Sequence, residues 1–137
     1  MGGYMDKKYF ISTLIIFVVW MVFGFIVHEV LLHNDYAQLS HLFRTKEDAT
    51  GYLKYMILAH LLMSAAIVKI YRFGKEAKPF LGQGLRFGVY ISLLCTVPLY
   101  LIYYAVQPMP GITVFKQIFF ETAGVLVIGI LVAKLES

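Results

Sequence analysis

The sequence predicts an all-α membrane protein, a four-transmembrane-helix bundle whose helices run up and down through the bilayer. Three observations predict it. Of 137 residues, 60% are hydrophobic and only 15% charged, which leaves too few polar side chains to cover a soluble core. The apolar residues gather into four runs, each about as long as the ~20 residues a helix needs to cross the hydrocarbon layer. Positive residues and most tyrosines fall near the ends of those runs, as interfacial anchors do. No internal repeat, low-complexity tract or domain boundary interrupts the chain, so residues 1–137 read as a single transmembrane domain.

The first span is expected over residues 9–32. A short N-terminal segment leads into it with no small-residue cleavage site behind, so the run reads as a retained helix and not as a signal peptide. Met1-Gly2-Gly3 has the form of an acylation start, but Asp6 stands where that signal needs Ser or Thr. Gly24 is the one flexible point of this span, and Trp20, in mid-span, is expected to pack on a neighbouring helix. Residues 33–50 form the first loop. In it, Thr45-Lys46-Glu47-Asp48 resembles a capping box and predicts that the second helix starts ahead of its membrane segment, residues 52–71.

Gly74, Pro79 and Gly82 mark the second loop as turn-rich. The third span, 85–106, contains Pro98, which removes one backbone hydrogen bond and bends the helix. Gly84 and Gly88 at its start have the spacing that lets two helices approach closely; Gly124 and Gly129 of the last span, and Cys95, also read as packing positions. Gln107-Pro108-Met109-Pro110-Gly111 reverses the chain into the fourth span, 112–133. Tyr100, Tyr103, Tyr104 and Gln107 share one helical face near the outer end, where an interfacial belt accounts for the tyrosines as well as a polar path does.

Sidedness follows from the cations. Lys7, Lys8, Lys69, Arg72, Lys75, Lys78, Arg86 and Lys134 fall on the side of the termini and second loop, against Arg44, Lys46, Lys54 and Lys116 on the other. Loops rich in Lys and Arg stay cytoplasmic, so both termini are expected there, in a plasma (inner) membrane.

Several function classes drop out. A single cysteine allows no intrachain disulfide and no paired-cysteine zinc site. The net charge of +4 is spread over helix ends without a basic, aromatic-interleaved cluster, so nucleic acid is not an expected partner. There is no phosphate-binding glycine loop, nucleophile elbow or HExxH motif, so no catalytic residue is named and an enzyme is the less favoured reading.

Ionisable groups inside hydrocarbon each demand an explanation. Those expected inside the spans are His28, Glu29, His60 and Glu121. At about 1.5 Å per residue, His28 and Glu29 lie roughly 5 Å from the outer end, His60 roughly 12 Å in and Glu121 roughly 6 to 14 Å in. If the first helix continues past Leu32, Glu29 shares a face with His33, and His28 with Asp35. Glu29, His33, His60 and Glu121 thus form a candidate metal or proton-passing cluster. The structural alternative is a hydrogen-bonded network pinning the helices, with His60 donating to Glu121 or Glu29. His28 and His60, on facing helices, are also candidate axial ligands of haem b, although their depths differ. Arg86, at the inner boundary, is a candidate for an anion or lipid phosphate, against ordinary snorkelling to the interface.

The leading functional expectation is an accessory or interaction subunit of a membrane assembly, with lipid, other membrane subunits or a second copy as partners. Two alternatives stand beside it: a haem- or metal-binding redox protein using the outer His and Glu cluster, and a small transporter or channel working as an oligomer.

Overall fold

A computed structural model describes residues 5–137, and the Met1-Gly2-Gly3 start lies outside the described residues. Every element is helical, and no strand occurs among the described residues. Helix α1 (Lys7–Phe25) continues into a π-helical turn (Ile26–Leu31) and, after a break at Leu32, a short α2 (His33–Ala37). A single 3-10 turn (Ser40–Leu42) leads to α3 (Lys46–Gly74). Then come α4 (Phe80–Ile91), a second π-helical turn (Ser92–Thr96), α5 (Val97–Val106) and α6 (Gly111–Leu135). Joined across the π turns, they make four helices long and apolar enough to cross a membrane: Lys7–Leu31, Lys46–Gly74, Phe80–Val106 and Gly111–Leu135.

Local chemistry sets the helix starts. The Asp6 carboxylate accepts from the Tyr9 main-chain N–H at 2.8 Å and caps α1. Thr45 Oγ1 accepts from the Asp48 N–H at 3.2 Å, so the Thr-Lys-Glu-Asp signal does start α3 at Lys46, well ahead of Tyr52. The third long helix carries its irregularity just before Pro98. Proline lacks an N–H and its ring collides with the carbonyl four residues back, and the wider π turn over Ser92–Thr96 accommodates both.

Successive long helices are antiparallel. The start of α1 and the ends of α3 and α6 therefore meet at one end, called here the terminal end; the segment from Leu32 to Thr45 and the turn at 107–110 lie at the far end. In space α3 packs along α1, α1 against α6, and α6 most extensively against α4. The main core sits in the terminal half. There Tyr9, Ile16 and Trp20 of α1 meet Ile67, Val68 and Tyr71 of α3 and Val125, Ile128 and Val132 of α6, each set lying on one helical face. A smaller core of Leu39, Met109 and Val114 closes the far end. Between Lys46 and Met63, by contrast, every residue of α3 is exposed except the half-buried His60.

Helices α4 and α6 touch along a glycine seam. A Cβ on Gly84 would lie 2.5 Å from the Ile130 Cα, and one on Gly88 2.9 Å from the Leu126 Cα. A Cβ on Gly129 would strike the Gly84 carbonyl oxygen. Gly124 is likewise covered by the Phe23 ring of α1, so these glycines are packing positions, as the spacing of Gly84 and Gly88 predicted for that pair. Cys95 departs from expectation: it is exposed, on the outside of the π turn.

At the terminal end three helices are joined through one buried carboxylate. Glu136, 2% exposed, accepts from Ser12 Oγ at 2.6 Å and from Arg72 Nε at 2.7 Å, and Arg72 reaches on to Asp6 at 3.1 Å. Lys75 Nζ donates to the Glu136 carbonyl at 2.8 Å. Gln83 holds the main chain of the neighbouring loop. The Gln83 amide accepts from the Glu76 N–H at 2.8 Å and donates to the carbonyls of Glu76 and Lys78 at 2.9 and 2.6 Å.

Candidate functional site

The polar groups of the far end are brought together by the first π turn. A π turn holds one residue more than an α turn, so residues beyond it are out of phase with those before. The α-helical face that pairs His28 with Asp35, seven residues on, is advanced by one, and His28 meets Tyr36 instead. The His28 Nδ1 and the Tyr36 hydroxyl lie 2.8 Å apart, their rings stacked with centroids at 5.8 Å. The other ring nitrogen of His28, Nε2, is 2.8 Å from Glu121 Oε1 of α6. Gln117, one turn before Glu121, donates its amide to the Tyr36 oxygen at 3.0 Å.

The directions of these bonds follow from the donors present. Burial pushes the Tyr36 phenol up to about 12, with the nearby carboxylates adding to it, so the hydroxyl keeps its proton. Its oxygen accepts from Gln117, which leaves its O–H free to donate to Nδ1; in that tautomer of His28, Nε2–H donates to Glu121. The result is a continuous chain of contacts from Gln117 through Tyr36 and His28 to Glu121. Beside it Lys116 Nζ of α6 donates to both carboxylate oxygens of Asp35, at 2.9 and 3.0 Å. Gln117 Oε1 is buried with no hydrogen-bond partner among the described residues.

The expected four-residue metal set is not assembled. Glu29 and His33 are both exposed, because the π turn and the break at Leu32 (φ −102°, ψ 5°) destroy the shared face that a continuous α-helix would give them. His60 does not reach Glu121 or Glu29: its Nδ1 bonds to the Met56 carbonyl at 2.8 Å, and its ring stands edge-on to Trp20 at 6.3 Å, close to Gly24. Among the described residues, no group of three His, Cys, Asp or Glu side chains is placed to hold a metal ion. The haem pair fails on the same geometry. His28 has both ring nitrogens engaged, while His60 packs at the level of Gly24, one helical turn or about 5 Å away from it. Arg86 is exposed and lies 3.4 Å from Glu76 on the terminal-end loop. Of the expected polar face on α5, Tyr100 is half-buried near Met109, while Tyr103, Tyr104 and Gln107 are exposed.

Three participants escaped the sequence reading. Tyr36 and Gln117 are polar but uncharged, and Lys116, the partner of Asp35, counted as a loop cation. The usable signal was depth alone: Gln117 is one turn from Glu121 and at the level of the far-end loop. No protein-family model, no characterised protein and no solved structure matches this chain.

Proposed function

We propose that the chain is a multi-pass protein of the plasma (inner) membrane, with both termini cytoplasmic, working as an interaction subunit of a larger membrane assembly. One observation carries this reading. Over its terminal half α3 buries Ser64, Ile67, Val68 and Tyr71 against its neighbours, but the stripe stops at Ser64. Beyond it Leu53, Ile57 and Leu61 continue one face at four-residue spacing and stay exposed, at 41–46% of their surface. Met56 and Met63 flank that face, and methionine adapts to irregular partners.

The far-end cluster supports the same reading from the other side. It ties the α1–α2 region to α6 and leaves α3 out, so the bundle is braced without using the far half of α3. In lipid, apolar contact alone brings little association, because acyl chains are as apolar as leucine; close packing and shared polar contacts do the work. Such a half-helix, held at one end, offers packing surface to another transmembrane helix. The redox readings lack a gathered ligand set by comparison.

The test uses cysteines at Leu53, Ile57 and Leu61, one at a time in a Cys95→Ala background, with a short photo-crosslinker in native membranes. Covalent products at these sites, absent from Leu14→Cys on the exposed side of α1, are the expected result; a product of twice the chain mass would identify the partner as a second copy. Failure of all three sites to crosslink to protein would remove the reading.

A further inference from the structure

We infer that the hollow at the terminal end binds the phosphate headgroup of an anionic phospholipid. This rests on the membrane placement proposed above but not on the subunit role. A cavity of about 540 Å³ opens between the ends of α3, α4 and α6, and a second of about 320 Å³ adjoins it, sharing Lys78, Pro79 and Gln83. The larger one is lined on its apolar side by Tyr71, Phe80 and Ala133. Lys75, Lys78 and Arg86 stand along the two mouths. An apolar wall beneath a basic rim, at the level where four spans end, matches an acyl chain below a phosphodiester.

The charges are unequal. The Glu136 carboxylate is taken up by Arg72 and Ser12, and the Ser137 main-chain oxygen by Lys8. Glu76 is shared by Lys78 and Arg86, the latter at a long 3.4 Å. Lys75 is held by a carbonyl and not by a carboxylate. Three rim cations thus face one carboxylate, an excess of two positive charges, of which a phosphodiester neutralises one. The rim is also built in advance: Gln83, 7% exposed, fixes the loop carbonyls of Glu76 and Lys78, so little ordering is left for a ligand to impose.

Detergent-purified protein, mixed with equal amounts of phosphatidylglycerol and phosphatidylcholine, is examined by native mass spectrometry. Retention of phosphatidylglycerol about tenfold over phosphatidylcholine is expected, falling about tenfold in Lys75→Gln/Arg86→Gln and in part in Arg86→Gln alone; because Lys75 also holds the Glu136 carbonyl and Arg86 meets Glu76, retention is compared well below the melting temperature of each variant. Lys54→Gln, at the far end, should leave retention unchanged. Equal retention of the two lipids, or no loss in the double variant, overturns the proposal. Inorganic phosphate bound at millimolar concentration without lipid preference overturns it too, since the apolar wall would then be idle. Vesicle flotation separates the two failures: protein that does not float with vesicles refutes the membrane placement itself.

Discussion

Asp6 does two jobs, capping α1 through the Tyr9 N–H and receiving Arg72 from α3. The cap bond first, and Arg72 after it, hold its carboxyl below the ordinary carboxylate value. A group with a lowered folded-state pKa contributes stability above its unfolded pKa and loses it as pH falls through the folded value. The melting temperature of Asp6→Ala should therefore lie below wild type by a constant amount from neutral pH to about pH 5, and the gap should narrow below about pH 4. A gap that widens in acid would contradict the pairing. Glu136, the most buried carboxylate of the network, was invisible to sequence reasoning for a simple reason. It lies past the fourth apolar run, where an acid is unremarkable, and only the convergence of three helix ends encloses it. His28 and Glu121 were legible because hydrocarbon makes any ionisable group conspicuous; His60 was equally conspicuous and yet serves Trp20, Gly24 and its own helix.

The α4–α6 pair depends on an absence of side chains. Leucine at Gly129 has no room beside the Gly84 carbonyl and the Gly88 main chain, so Gly129→Leu should drive the helices apart and abolish a cooperative thermal transition. Gly51→Ala meets nothing within 4 Å and should raise stability by about 0.5–1 kcal/mol through helix propensity alone. A melting series on the two variants checks both; a folded Gly129→Leu would refute the seam. The Gly84 and Gly88 half of that seam could be read from spacing, while its partner Gly129 could not, since a lone glycine names no neighbour. Helix extents were legible from apolar runs and caps. The π turns were not: nothing in Ile26–Leu31 announces the extra residue, and it is that residue which separates Glu29 from His33 and substitutes Tyr36 for Asp35 beside His28.

At the scale of the whole molecule, four antiparallel helices with unequal neighbours make a bundle that is tight at the terminal end and unfinished along α3. Arg72, Lys75, Lys78 and Arg86 gather at the tight end, and the same end carries the buried Glu136 network and the basic-rimmed hollow. The sidedness proposed from these cations has a direct check. A cysteine at Ala77 should be protected from a membrane-impermeant maleimide in intact cells, and one at Gln38 should react. Labelling in the reverse pattern would invert the orientation and move the hollow to the opposite leaflet.

The surplus residue in the turn over Ile26–Leu31 works as a phase setting. Were that turn to take up ordinary winding with its length unchanged, everything downstream would rotate by about 100°. Tyr36 would leave His28, Asp35 would leave Lys116, and the strap from Leu32 to Thr45 would have to dock afresh. The winding of the chain at this point is thus as strictly specified as side-chain identity, although the turn itself is exposed along most of its surface.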